Sequence, residues 1–543
     1  MRSIAEVASD LGYRPADLAP AGRGVLRIPV GLVRSRADSS PPGRLILVTA
    51  MTPTARGEGK TVVAIGLGMA LHRRGQRSVV CLRQPSLGPV FGSKGGASGG
   101  GRSTVEPRPD IDLGFTGDLD AITNAQNLLV SLVDNHIYHG NPLGIDAAQA
   151  VLPRASPLED RSLRDIECGL TVKAAGFPRP AQFVITPAAE MAAIHALARD
   201  YADLKHRIDR MIVGRVADGS PVRASGLGPI GSVASLLKTA LEPNLVQTAE
   251  GTPALVHGVP YANVAHGTCS RLAIDAGLAS SDFCIVEAGF ASDLGAEKFV
   301  DVVSPQTNLH ADAAVLVATI RALRWHGTEG FDKSQPGEGT VARGLANLEQ
   351  HVENLRRMGV DPVVALNRFP DDSAEEIAHV QRFCSERKLS WATVTAFADG
   401  GPGAAALAER VIEAAALGQR THPLYREGSS TEEMLSTVVA EAYGGRGFEL
   451  ADAARVDLDR IRRDGEAEGP LCIAKTPLSL SADPTRHGRP QGFTLPVRRF
   501  IRWPGAGFTV AVAGSIVSMP GLPPRPSAEM IGLSDDGTIR GLG

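Results

Sequence analysis

Residues 44–71 read RLILVTAMTPTARGEGKTVVAIGLGMAL, an unbroken apolar run that enters GEGKT and continues into a second apolar run of helical length. Residues 45–50 have the pattern of a parallel strand buried on both faces. Residues 61–74 are long enough for a helix, and 78–82 supply another short strand, so the order is that of a βαβ unit. A glycine-rich turn between strand and helix points backbone N–H groups inward at the positive end of the helix dipole, a geometry that cradles phosphate. Gly57 and Gly59 allow the turn, Lys60 can reach the β- and γ-phosphates, and the Thr61 hydroxyl can bind Mg²⁺. The strict pattern GxxxxGK[ST] carries Gly where this chain has Thr54. The competing reading is an ordinary glycine-rich βα turn.

Nucleotide choice can be read further along. A guanine-specific loop of this type has an NKxD-like run after a later strand; here VVALNRFP places Phe369 and Pro370 after Asn367 and Arg368, without the guanine-reading Asp. ATP is therefore the expected nucleotide. A second glycine run follows the second strand: RQPSLGPVFGSKGGASGGG, with six glycines among residues 92–101 and Lys94 inside it. Ordering such a loop costs conformational entropy, and close backbone approach to an anion is a reason for it; a flexible surface loop is the alternative. Arg83 leaves the strand at the sheet edge where doubly wound folds bind ligands, placed to hold a small carboxylate or phosphate.

Working outward, apolar runs at 183–185, 211–213, 283–286, 314–317 and 362–366 repeat the α/β theme. Residues 1–43 read as a short helix followed by a loose arm, and from about Gly469 the Pro- and Gly-rich texture reads as irregular. At 543 residues the chain needs several cores. The expected class is α/β: a P-loop NTPase-like parallel-sheet domain from residues 1–120 and 270–350, a second α/β domain over 121–269, and a C-terminal α/β domain over 351–543. Net charge is −3, which gives no electrostatic case for nucleic acid or an anionic membrane. No run approaches a membrane span and no signal pattern opens the chain, so a cytoplasmic protein is expected. The six cysteines are scattered without a CxxC pair, against a disulfide framework or a zinc ribbon. Only nine of the 56 basic residues are lysines, and Lys60, Lys94, Lys298 and Lys475 fall in motif-like surroundings. His136 and His139 in DNHIYHG suit structural roles better than a metal pair.

The chain closely resembles the formate–tetrahydrofolate ligase (formyltetrahydrofolate synthetase) family. The runs that carry this are LILVTAMTPTARGEGKT, LRQPSLGPVFGSKGGASGGG, FTGDLDAITNAQNLL, DNHIYHGNPLGID, PNLVQTAEGTPALVHGVPYANVAHG, EAGFASDLGAEKF, VATIRALRWHG, NRFPDD, AKTPLSLSADP, GAGF and MPGLPPRP, in order from about residue 45 to 528. The resemblance implies that ATP, formate and tetrahydrofolate give 10-formyltetrahydrofolate, ADP and phosphate through formyl phosphate. Formate is an anion and a poor acyl donor, so an oxygen must first become a phosphate leaving group, and cations must offset its repulsion from ATP. Lys60 and Arg83 match the family's catalytic Lys and Arg, and Asp118 matches a carboxylate near the folate. Thr54, Gly57, Glu58, Gly59, Lys60, Thr61 and Lys94 would line the ATP phosphates, and Phe369 and Phe397 would stack the pterin. His266, Glu287, Asp293 and Lys298 would form the active-site wall. The family also implies Mg²⁺ with the ATP at Thr61, a monovalent cation (K⁺ or NH₄⁺) and a homotetramer.

This sequence departs from the family pattern in the surrounding pocket. Gln84 stands where a Glu is expected, Gly114 where a His is, and Phe397 where a Trp is usual. Two rival readings follow: a formyl phosphate-forming enzyme with a non-folate acceptor, and a non-catalytic nucleotide-binding paralogue.

Overall fold

Alternation along residues 45–50 sets the layering. Leu45 and Leu47 enter one hydrophobic core, while Ile46, Val48 and Ala50 enter another on the opposite face. Cys284 and Val286 against Phe283 and Ile285 repeat this split on a neighbouring strand. A sheet buried on both faces must be covered by two helical layers.

The computed structural model describes all residues except 55, 171–175, 229, 329–338, 466–467 and 543, together with the side chain of Lys94. Its main sheet has twelve strands. In chain order they are β1 (Ala19–Gly22), β2 (Val25–Arg27), β3 (Arg44–Ala50), β4 (Ser78–Leu82), β5 (Gly99–Gly100), β6 (Ser103–Glu106), β7 (Asn244–Thr248), β8 (Pro253–Val256), β9 (Phe283–Glu287), β10 (Ala313–Ala318), β11 (Pro362–Asn367) and β12 (Trp391–Val394). The order across the sheet is β1-β2-β7-β8-β4-β9-β3-β10-β11-β12, with β6 paired to β7 and β5. From β8 to β12 every pairing is parallel; the β1–β2–β7–β8 edge is antiparallel.

The helices that matter for the site are α1 (Ile4–Asp10), α2 (Val30–Ser39), α3 (Lys60–Arg73), α4 (Asp118–Tyr138), α5 (Arg271–Ser280), α6 (Ile320–His326), α7 (Thr340–Arg357) and α8 (Ala405–Ala415). Residues 62–71 of α3 are all buried, so this helix is apolar all round, as a helix covered by the sheet on one side and by neighbouring segments on the others must be. Its Gly68 has no room for a Cβ against Val80 of β4, nor Gly66 against Ala396 just after β12, which sets how closely α3 lies on the sheet and on that segment. α8 lies beside it in the same core, packed on β10, β11 and β12.

Two sequence expectations need revision here. The arm after the first helix is ordered structure: residues 19–27 form the antiparallel edge β1–β2, and α2 packs in the core beside α5. The region after Gly469 is regular as well: a second, four-stranded sheet is built from Gly447–Leu450, Leu471–Ala474, Thr494–Trp503 and Phe508–Ala513. Cys472, Ala474, Phe508 and Val510 on one of its faces join the main core, while Leu471, Ile473 and Ala511 on the other close a smaller core. The main sheet also draws β7 and β8 from the 121–269 span and β11 and β12 from the 351–543 span. Among the described residues no helix is long and apolar enough to cross a membrane.

Candidate active site

Three adjacent parallel strands, β4, β9 and β3, end level with one another: Val286 pairs with Cys81, and Glu287 with Val48. The residues that leave these strands must therefore emerge side by side at one sheet edge. They are Arg83 from β4, Glu287 at the tip of β9, and the 51–59 turn from β3.

The turn is built around an inward-facing carboxylate. Glu58 is buried; its Oε1 accepts from the Thr54 backbone N–H at 2.7 Å and the Thr54 hydroxyl at 2.8 Å. Its Oε2 accepts from the Thr319 hydroxyl, with Arg321 at 3.6 Å. Thr54 and Glu58, both expected among the phosphate-binding residues, thus spend their side chains on holding the turn closed. Gly57 and Gly59 both have φ of +74°, and a Cβ on Gly59 would come within 2.5 Å of Asn367 Nδ2. Only glycine satisfies both demands there. Asn367 Nδ2 in turn donates to the Glu58 carbonyl at 3.1 Å. Lys60 and Thr61 open α3 immediately after Gly59.

The Thr61 hydroxyl donates to Glu287 Oε2 at 2.6 Å, bridging the first turn of α3 to the exit of β9. Arg83 donates to the Pro260 carbonyl at 3.2 Å. Burial pulls the Arg83 pKa down while the charge of Glu287 pushes it back up. Lys298 is fully buried and donates to the carbonyls of Ala262 (2.9 Å) and Asn263 (2.6 Å), fixing the 260–266 segment against which Arg83 rests. Burial, with the charges of Arg83, Arg207 and Lys298 adding to it, brings the His266 pKa down to about 3, so its ring is neutral. Both ring nitrogens of His266 and both amide atoms of Gln84 are buried without a hydrogen-bond partner among the described residues. Unsatisfied polar atoms at a strand exit are atoms that a ligand can satisfy.

Other expected residues lie elsewhere on the same edge or deeper. Asp118 opens α4 and is buried, with Arg27 Nη2 at 2.7 Å and Asn244 Nδ2 at 2.6 Å. Asn244 opens β7, two strands from β4 in the sheet order, roughly 10 Å at ordinary strand spacing. Asp293 binds the buried Lys475 ammonium at 2.6 Å and so joins the main body to the C-terminal sheet. The side chain of Lys94 lies outside the described residues. The glycines around it have steric reasons: a Cβ on Gly96 would strike the Leu542 carbonyl and Asp112, and one on Gly101 the Phe397 backbone. Phe369 and Phe397 leave β11 and β12, neighbouring strands in which Asn367 pairs with Val394. Phe369 is half-buried and Phe397 is 57% exposed. His136 Nε2 accepts from the Leu143 N–H at 3.1 Å, a structural use. Among the described residues no group of three or more His, Cys, Asp or Glu side chains is arranged to hold a metal ion.

Behind the turn lies a polar network that sequence reasoning missed. Thr52 donates its N–H to His351 Nε2 at 2.8 Å, so that nitrogen is an acceptor and Nδ1–H donates to the Ser292 hydroxyl at 2.7 Å. The Gly488 N–H donates to His326 Nδ1 at 3.2 Å, so the opposite nitrogen, Nε2–H, donates to the Thr52 carbonyl at 2.9 Å. Asn347 completes it by donating to the Thr52 hydroxyl at 3.0 Å. Backbone donors thus fix two opposite tautomers, and burial, the larger cause, takes the pKa of His326 to about 3 and of His351 to about 4. Asn347 and His351 stand four apart on α7, but their partners Thr52 and His326 lie far off in the chain, so no local pattern could have revealed this.

A family model described as formate–tetrahydrofolate ligase matches residues 1–543. Among similar proteins, formate–tetrahydrofolate ligase of Thermus thermophilus is 49% identical over 501 residues, 92% of each chain. That of Symbiobacterium thermophilum is 45% identical over 544 residues, and that of Acidiphilium cryptum 46% over 547, each covering 100% of this chain and 98% of the relative. With a family match from end to end and relatives at this identity over nearly their full length, the chain belongs to the formate–tetrahydrofolate ligase family.

Proposed function

We propose that the protein ligates formate to tetrahydrofolate in an ATP-dependent reaction, giving 10-formyltetrahydrofolate, ADP and phosphate through formyl phosphate. The observation that carries this reading is the meeting of the α3 N-terminus, the Thr61–Glu287 contact at 2.6 Å and the Arg83 cation at the ends of three adjacent strands. The 51–59 turn is read as a P-loop-like phosphate cradle: N–H groups and Lys60 take the β- and γ-phosphates. A formate oxygen attacks the γ-phosphorus as ADP leaves. Arg83, with its charge kept beside Glu287, offsets the repulsion between the two anions and then holds the formyl phosphate. N10 of the folate attacks the formyl carbon, phosphate departs with the electron pair of the broken C–O bond, and N10 loses its proton.

The oxygen donors of Thr61 and Glu287 suit Mg²⁺, a hard cation that takes oxygen ligands. When bound, it would neutralise charge on the β- and γ-phosphates. Phe369 and Phe397, leaving adjacent strands, are read as the pterin platform. Within this proposal the nucleotide-handling part is residues 1–120 with 270–350, and the 351–543 part contributes to the folate site. The homotetramer, the monovalent cation, the cytoplasmic location and a role for Asp118 near the folate rest on family resemblance. Incubating the protein with ATP, formate and tetrahydrofolate, and with each omitted in turn, tests the function: formylfolate should appear only in the complete mixture. Formylfolate absent from the complete mixture overturns the reading.

A further inference from the structure

Arg321, the second residue of α6, stands between the nucleotide turn and the proposed acceptor platform. Its Nη2 donates to the Gly57 carbonyl, it lies 3.6 Å from Glu58 Oε2, and its Cζ sits 4.9 Å from the centre of the Phe369 ring. Asn367, two residues before Phe369, donates to the next carbonyl of the same turn, that of Glu58, at 3.1 Å. Two successive carbonyls of the turn are therefore held by groups tied to the segment that carries Phe369. We propose that Arg321 is a positioning residue that couples the two ligands, so that nucleotide in the turn strengthens acceptor binding at Phe369 and the acceptor strengthens nucleotide binding. This rests on reading Phe369 as part of the folate platform.

The physical case runs through one planar cation. A guanidinium can donate in its plane to the turn while offering its face to an aromatic ring, which a lysine ammonium cannot do. It covers one face of Phe369, and the coupling proposed here needs a flat ligand on the other. Gly57, at φ of +74°, belongs to the turn that would wrap the phosphates, so filling that turn fixes the Gly57 carbonyl. That carbonyl fixes the guanidinium, and the guanidinium fixes the tilt of the ring. Arg321 retains 32% side-chain exposure, so without this constraint it has rotamers to sample, and ligand binding must arrest them. The first ligand bound arrests them for the second, and coupling of this kind is reciprocal.

The test measures tetrahydrofolate binding by calorimetry on the full chain, without formate, in the presence and absence of a non-hydrolysable ATP analogue with Mg²⁺. In the native protein the analogue should tighten tetrahydrofolate by about tenfold, within the usual range of allosteric factors. Arg321→Ala should bring that ratio below about twofold, and Arg321→Lys, which keeps the charge but not the stacking plane, should give an intermediate ratio. A purely structural arginine would weaken each ligand alone and leave the ratio intact. A native ratio of one, or a ratio unchanged in either variant, overturns the proposal. Phe369→Ala separates the two levels: it should weaken tetrahydrofolate but not the analogue alone. Unchanged tetrahydrofolate binding in that variant overturns the platform reading and the coupling with it.

Discussion

The Thr61 hydroxyl and the Glu287 carboxylate meet at 2.6 Å although 226 residues separate them in the chain. One is fixed by the start of a helix, the other by the end of the neighbouring strand, so the pair is set by the sheet itself. Glu287→Gln keeps the shape but removes the charge that sits beside Arg83 and would face the metal. Turnover should fall by about a hundredfold or more, equivalent to roughly 3 kcal/mol of transition-state stabilisation. The ATP affinity should also lose its Mg²⁺ dependence. Steady-state kinetics with a magnesium titration checks this; unchanged kcat removes Glu287 from the site.

Glu58 should behave as a keystone of the turn. Glu58→Ala leaves the Thr54 N–H and the Thr54 and Thr319 hydroxyls without their acceptor in a buried place. Stripping a buried, charged acceptor from its donors costs about 3–5 kcal/mol. Urea unfolding should show that loss, accompanied by weak ATP binding. Full stability would mean that solvent reaches these groups.

Asp118→Asn distinguishes structure from chemistry. The variant leaves the buried Arg27 without its counter-charge, and breaking such a pair costs about 3–5 kcal/mol. The expected result is a protein clearly less stable, with kcat reduced less than a hundredfold in the molecules that remain folded. Undiminished stability with kcat lost would place Asp118 in the reaction instead.

His326 and His351 should stay neutral well below the ordinary histidine range, with the proton on Nε2 of the first and Nδ1 of the second. Nitrogen chemical shifts recorded from pH 8 to pH 5 should not move; a titration near 6.5 contradicts the assignment. Their folded pKa values, about 3 and about 4, lie below the unfolded value. The unfolded chain therefore takes up protons first as pH falls below 6.5, and each histidine removes about 1.4 kcal/mol of stability per pH unit down to its folded pKa. Asp301 acts in the opposite sense. Burial raises its pKa to about 7, and Glu297 is also raised, so its stabilising effect is complete below about 4 and lost as pH rises towards 7. Asp301→Asn, a mimic of the protonated acid, should match the native protein near pH 4 and exceed it in stability at pH 8 by a few kcal/mol.

Phe397 is 57% exposed and leaves β12, the strand next to the one that Phe369 leaves. Phe397→Trp enlarges the stacking surface, and an aromatic contact of this kind is worth about 0.5–1.5 kcal/mol. The KM for tetrahydrofolate should drop by roughly two- to tenfold while the KM for ATP stays put. Equal changes in both would argue that the two rings do not form the acceptor platform.

What the chain disclosed in advance follows from range. The β3–turn–α3 unit was legible because all its signals are local: period, glycine spacing and the Lys60–Thr61 pair. Arg83 was placed at the sheet edge because it follows a strand, and the structure puts it there. Glu58, by contrast, looked like a loop residue near phosphate; that its carboxylate turns inward depends on Thr319, 261 residues away. The glycines at 96 and 101 invited an anion, but their neighbours are Leu542 and Phe397, contacts that no local pattern announces. The sheet after Gly469 was hidden by prolines and glycines at its turns and by a bulge between Val497 and Arg499 that breaks the inward alternation of Leu495, Val497 and Phe500.

Thr52 gives its N–H, its hydroxyl and its carbonyl to three different side chains, those of His351, Asn347 and His326. A single replacement at any of these four positions strands the others, so the first change carries the full penalty and the second much less. In sequence space the four positions behave as one locus. Lineages that drift there should exchange the residues as a set, and combinatorial libraries should recover functional variants only where several of the four change together.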